Sequence, residues 1–243
     1  MQVAIVSDIH GNRHALEAVL GEIAHSEADR LWCLGDVVGY GADPNDCCTI
    51  VREHAAVCLA GNHDLAVTGA LPLDEFSRGA ALAARWTQEV LAPEHRDWLA
   101  GLEPADTEEG VGLFHASPRD PVWEYVLSAL LAELCFDAVP HQLSLIGHSH
   151  VALVFVREEG EPATGRARRG GEAEELGEAR WLVNPGSVGQ PRDGDARAAW
   201  LLLDLGTGTV EWRRTEYDVA GAAAAIRSAH LPDSLAERLQ YGQ

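Results

Sequence analysis

The stretch QVAIVSDIHGNRHALEAVLGEIA, Gln2 to Ala24, decides how the rest of the chain is read. Its first six residues, Gln2 to Ser7, form a short apolar run, which predicts a buried strand. From His14 onward apolar residues recur at helical spacing, so a helix follows. Where one gives way to the other lie Asp8 and His10, both able to bind a metal and two residues apart. On an extended backbone that spacing puts both side chains on one side.

The same event recurs along the chain. The run LWCLG ends at Asp36, and AVCLAG ends at Asn62, His63 and Asp64. VGLFHAS carries His115, and LSLIGHSH carries His148 and His150. Further strands are expected at VALVFV, WLVNPG, AAWLLLDL and TVEWRR. Helices are expected over Asp46–His54, Asp74–Val90, Pro93–Ala100 and Val122–Leu134, and again from Val219. The polar, Gly-rich stretch Glu158–Arg180 is expected as a solvated loop between two strands. Alternating strands and helices in the first half imply parallel pairing, and the strand-rich second half implies hairpins. The expectation is one mixed α/β domain over residues 1–243, with more than one sheet layer.

Bulk properties narrow the function. The chain has 243 residues, 47% of them apolar, which is enough for a substantial core. No apolar run approaches the roughly 20 residues of a membrane span, and the start lacks the basic and apolar regions of a signal peptide. The formal net charge of -20 opposes nonspecific binding to nucleic-acid polymers or anionic lipid, but not to a small anion held locally. All 18 basic residues are arginine, so lysine-dependent sites such as a P-loop or a Schiff base are excluded. The five cysteines form no C-x-x-C pair, which implies reduced, mostly buried thiols and a cytoplasmic location.

Taken singly, the polar residues have ordinary explanations: Asp8, Asp36 or Asn62 could cap a helix, and His115 could be a satisfied core histidine. Together they fall at five strand ends, where α/β sheets bind ligands. Carboxylate and amide oxygens mixed with imidazole nitrogens suit manganese, iron, zinc, cobalt or nickel better than magnesium or calcium. Asp8, His10, Asp36, Asn62, His115, His148 and His150 are too many for one ion with an open position. They fit two ions sharing a carboxylate, an arrangement that clamps the attacking and leaving oxygens at phosphorus. Ser149 lies in no Gly-x-Ser-x-Gly, and the chain has neither His-Glu-x-x-His nor a Gly-x-Gly-x-x-Gly after a strand.

In this order, Asp-x-His, Gly-Asp, Gly-Asn-His-Asp, His and Gly-His-x-His resemble the calcineurin-like metallophosphoesterase superfamily. NPGSVGQPR, Asn184 to Arg192, is similar to its small bacterial and archaeal phosphodiesterase branch. The resemblance implies a four-layer αββα sandwich, two stacked mixed β-sheets flanked by helices. It also implies that Asp8, His10 and His150 hold one divalent transition-metal ion and Asn62, His115 and His148 a second, with Asp36 bridging. Manganese is the first choice. His63 resembles the family's non-ligand histidine beside the scissile bond.

The activity so implied is hydrolysis of a small phosphoester, a diester or monoester, by direct attack of a metal-bridging hydroxide. Two divalent ions against two carboxylates and that hydroxide leave a formal charge of roughly +1, which attracts phosphate into an acidic protein. As imidazolium, His63 would stabilise the phosphoryl oxygens or protonate the leaving group, with Asp64 orienting its ring. Asn12, Arg119 and Arg192 neighbour the motifs and are candidates for phosphate contact, to which a bidentate guanidinium is suited. The competing function is a non-catalytic scaffold of the same fold, of the kind that lacks the catalytic histidine; this chain has His63.

Overall fold

Short apolar runs that alternate in facing build two sheets with a shared interior. The structure, a computed structural model, describes residues 1–243. The first half runs β1 (Gln2–Val6), α1 (Arg13–Ile23), β2 (Arg30–Cys33), α2 (Pro44–His54), β3 (Ala55–Cys58), α3 (Asn62–Thr68), α4 (Arg78–Val90), α5 (Pro93–Ala100), β4 (Ala105–Glu108) and β5 (Val111–Phe114). There follow α6 (Ala129–Ala138), β6 (Leu143–Ile146), β7 (Ala152–Arg157), β8 (Thr164–Ala167), β9 (Ala173–Glu175), β10 (Arg180–Pro185), β11 (Ala198–Asp204), β12 (Thr209–Thr215), α7 (Val219–Ser228) and α8 (Asp233–Glu237).

The strand order is β3-β2-β1-β11-β12-β9 in one sheet and β4-β5-β6-β10-β7-β8 in the other. The pairs β1–β2, β2–β3, β5–β6 and β6–β10 are parallel, so both sheets are mixed. One face of each sheet meets the other: Val3, Ile5, Trp32 and Trp212 of the first pack with Leu113, Leu145, Val154 and Val183 of the second. Outside the first sheet, Ala4, Val6 and Cys33 lie against Leu16 and Val19 of α1 and Val51 of α2. Outside the second, Ile146 and Leu182 meet Cys135 and Phe136 of α6. The result is the expected helix–sheet–sheet–helix stack, driven by apolar area removed from water on three interfaces. Trp32, Trp200 and Trp212 are fully buried within it, and truncating any of them to alanine would cost about 3–5 kcal/mol.

Three expectations need correction. The helix expected over Val122–Leu134 begins only at Ala129, where Ser128 caps it by accepting a hydrogen bond from the Leu131 amide. Before it, Asp120 accepts from the Val122 and Trp123 amides, and Ser117 from the Arg119 and Asp120 amides. These local turns hold the chain out of the helix. The helix expected from Asp74 likewise starts at Arg78, capped by Ser77 after a 3-10 turn at Leu73–Glu75. Glu158–Arg180 contains two edge strands, β8 beside β7 and β9 beside β12. Their residues are mostly exposed and include no large apolar side chain, so they lack the apolar alternation that marks a strand in sequence.

Candidate metal centre

Five parallel strand ends, three from one sheet and two from the other, meet at one rim. The register places Val6 of β1 level with Cys33 of β2, and the loops beyond remain zipped by Asp8 N–H to Gly35 O (3.0 Å) and His10 N–H to Asp36 O (2.9 Å). Asp8 and His10 follow β1, Asp36 follows β2, Asn62 opens α3 after β3, His115 follows β5, and His148 and His150 follow β6.

The paired ligands are not on extended backbone, as their spacing implied. Asp8, His10, Asp36, His148 and His150 all have left-handed backbone, with φ between 51° and 62°. Each such turn costs about 1 kcal/mol or more for a residue other than glycine, and strain of this kind persists where the surroundings enforce it. The surroundings here include the turn at Asn184–Gln190. Asn184 Nδ2 donates to Gly147 O (2.7 Å), Ser187 Oγ donates to Asp8 O (2.7 Å), and the Gly189 amide donates to Asp8 O (3.0 Å). NPGSVG thus ties the Asp-x-His loop to the His-x-His loop.

All seven expected ligands are buried. His150 Nε2 lies 3.4 Å from Asp8 Oδ1 and 3.1 Å from His10 Nε2, which in turn is 3.5 Å from Asp36 Oδ2. On the other side, His115 Nε2 is 3.6 Å from Asp36 Oδ2 and 3.2 Å from Asn62 Oδ1. Asp8, His10, Asp36 and His150 form one group with potential ligand atoms mutually within 4.8 Å, and Asp36, His115 and His148 form another. Asp36 belongs to both.

The hydrogen bonding of the rings indicates what this cluster accommodates. His10 Nδ1 faces Val38 O (3.1 Å), His115 Nδ1 faces Leu34 O (2.9 Å), and His150 Nδ1 faces Gln190 O (2.6 Å). A carbonyl only accepts, so the proton is on Nδ1 and Nε2 of a neutral ring presents a lone pair. Burial holds His10, His148 and His150 well below the usual histidine range, hence neutral at pH 7. Two lone pairs 3.1 Å apart, on His10 and His150, repel unless a cation lies between them. Asp8 Oδ1, Asp36 Oδ2 and His148 Nε2 are buried without any hydrogen-bond partner, a costly arrangement that cation binding relieves. The donor set therefore fits divalent metal.

His63 stands beside this cluster. Its ring centroid is 4.9 Å from that of His10, 4.4 Å from Tyr40 and 5.0 Å from Phe76. A Cβ at Gly39 would lie 2.5 Å from His63 Nδ1, so glycine makes room for the ring. Burial, together with the charge of Arg192, pushes the His63 pKa down to about 3. Without a bound anion the ring is neutral, not the expected imidazolium. The expected orienting role of Asp64 is not what the geometry gives: its carboxylate accepts from the Gly61, Val37 and Val38 amides at 2.9, 3.2 and 3.0 Å. His63 Nδ1 has no hydrogen-bond partner. Asp64 thereby fixes the loop that carries Asp36.

The three expected phosphate contacts divide. Asn12 uses its amide to cap α1 at Ala15 N and to donate to Gly189 O and Tyr217 Oη, leaving nothing for a substrate. Arg119 pairs with Glu124 at 3.0 Å and lies outside the cavity over the cluster. Arg192 does line that cavity, which has a volume of about 330 Å³. Tyr40, Phe76, Trp123, Tyr125 and Arg238 line it too and were not singled out in sequence. Tyr40 could have been, since it sits between two glycines just after Asp36; Arg238, in an ordinary amphipathic stretch, carries no mark. A larger hollow of about 680 Å³ opens near Glu133, Arg157 and Arg180, but it borders charged surface pairs away from the cluster and has no convergent ligand set.

Comparison with known proteins agrees with this geometry. Residues 1–208 match the family model for the calcineurin-like phosphoesterase superfamily domain. The chain belongs to that superfamily. It is 39% identical to a metallophosphoesterase from Sphaerobacter thermophilus whose crystal structure superposes with a TM-score of 0.91, covering 100% of this chain and 99% of that one. It is 37% identical over 248 residues to an uncharacterized protein of Methanocaldococcus jannaschii, covering 99% of this chain and 98% of the other. A more distant relative, the symmetrical bis(5'-nucleosyl)-tetraphosphatase of Pseudomonas putida, is 29% identical over 60% of this chain and 54% of its own length. No helix is long and apolar enough to cross a membrane.

Proposed function

We propose that this metallophosphoesterase-superfamily chain hydrolyses a small phosphoester at a centre of two divalent transition-metal ions, manganese first among them. The observation that carries the reading is the pair of buried ligand groups sharing Asp36, with three acceptor atoms left unpartnered between them. Asp8, His10 and His150 would hold one ion, Asn62, His115 and His148 the other, and Asp36 both. When bound, such a pair supplies Lewis acidity and water of lowered pKa.

The chain's own groups do the rest. Nδ1–H donation to backbone carbonyls orients His10, His115 and His150 and keeps them in the tautomer that presents Nε2. Arg192, beside the same cavity, offers guanidinium N–H groups to the phosphoryl oxygens. His63 faces the cavity without being one of the ligands. An arriving phosphate brings the negative charge that favours a proton on this buried ring, so the ring donates to a phosphoryl or leaving-group oxygen. Aromatic walls at Phe76 and Trp123, 5.1 Å apart between centroids, keep that space partly dry. Since both sheets contribute to the centre, residues 1–243 act as one unit. Five free cysteines, four of them buried, fit a reducing compartment.

The test is a panel of aryl phosphomonoesters and phosphodiesters on protein reconstituted with manganese, cobalt, nickel or zinc, with His63→Ala alongside. Turnover in that variant should fall roughly 10²–10⁴-fold while metal content is kept. Loss of metal would overturn the role given to His63, and inactivity of every metal form would overturn the catalytic reading.

A further inference from the structure

At the rim of the same cavity, two guanidinium groups converge without a counter-ion. Arg192 Nη2 and Arg238 Nη1 donate to one acceptor, Gln190 Oε1, at 2.9 and 3.1 Å. Neither arginine pairs with a carboxylate, although the chain holds 38 acidic residues against 18 basic ones. Two like charges on one neutral oxygen repel, and burial adds to the cost. The two lone pairs of Oε1 are taken, and Arg192 Nε is buried with no partner. Tyr40 Oη, 3.4 Å from Arg192 Nη2, adds a hydroxyl to the same edge. Both arginines line the cavity that contains Asp36, Asn62, His148 and His150. Beyond Arg238 a second hollow of about 440 Å³, bordered by Ser77 and Tyr241, continues from it.

We infer that Arg192 and Arg238, spaced by Gln190, form a second anion seat next to the metal-ligand cluster, one that takes a phosphoryl group joined to the group being cleaved. The inference rests on the catalytic reading above and narrows its substrate to esters that carry a chain of two or more phosphoryl groups. A polyphosphate can offer one group to the cluster and a neighbouring one to the two guanidiniums, whose planar forks match phosphoryl oxygens.

Calorimetric titration of orthophosphate and of tripolyphosphate into the full chain, metal-free and manganese-loaded, reads the seat directly. The native protein should prefer tripolyphosphate, and Arg238→Gln should cut that preference about tenfold or more. Gln190→Glu, nearly isosteric and placing a carboxylate between the guanidiniums, should cut it as well and covers the case in which Arg238→Gln does not fold. Arg227→Gln removes the same charge from a surface pair and should leave the preference intact. Equal weakening of both anions by Arg238→Gln, or an unchanged preference in Gln190→Glu, would overturn the seat. Metal content and turnover of the native protein report separately on the catalytic reading, because the metal-free titration does not depend on it.

Discussion

Burial pushes the carboxyl of Asp8 up to about 7 from an ordinary 3.8. A cation needs that carboxylate deprotonated, so below pH 7 metal binding must displace a proton. Manganese affinity of the metal-free protein should therefore weaken by up to roughly tenfold per pH unit as the pH falls below 7. Calorimetry at pH 6 in buffers of different ionisation heat should show proton release; equal affinity at pH 6 and pH 8 would contradict this. The sign for stability follows from the same proton. Between pH 3.8 and about 7 the folded chain keeps a proton that the unfolded chain gives up, so Asp8 destabilises the metal-free fold as pH rises. Neutral His10, His148 and His150 act oppositely, because below 6.5 the unfolded chain takes up protons that the buried rings refuse.

At the scale of elements, the loop from β3 into α3 is tightly constrained. A Cβ at Gly61 would sit 2.0 Å from Asp36 Oδ1, the oxygen that accepts the His63 amide at 2.9 Å. Gly61→Ala should push the shared carboxylate aside, lower metal content and destabilise the protein by about 1–3 kcal/mol. Metal analysis with thermal melting checks this, and full metal content with an unchanged melting point would refute it. The glycine and the Asn-His-Asp run after it are plain in sequence, as are the five strand ends, because apolar runs and turn residues mark them locally. The left-handed turns at Asp8, His10, His148 and His150 are not, since non-glycine residues adopt that backbone only under tertiary constraint, here the turn at Asn184–Gln190. Val122–Leu134 has enough apolar residues to resemble a helix throughout, while the Asp120 turn that keeps Trp123 and Tyr125 out of it depends on side-chain geometry. Arg238 was invisible for a further reason: packing of α4, α7 and α8 through Ala83, Ala223 and Leu235 brings that end of the chain to a rim built mostly from its first 150 residues.

Across the whole molecule, the seven candidate ligands come from both sheets, so cations bound among them would cross-link the stack. Each ion held at 100 times its dissociation constant adds about 2.7 kcal/mol of stability, worth roughly 5–10 °C in a chain of this size, and two ions give about twice that. Chelation should lower the melting temperature by that amount and metal should restore it; no shift would mean that the cations do not join the two halves. The account stands or falls on where the ions bind. Anomalous diffraction from a crystal soaked in manganese should show two peaks, one among Asp8, His10 and His150 and one among Asn62, His115 and His148, with Asp36 touching both. A cluster without density, or ions bound only at surface carboxylates, would contradict it.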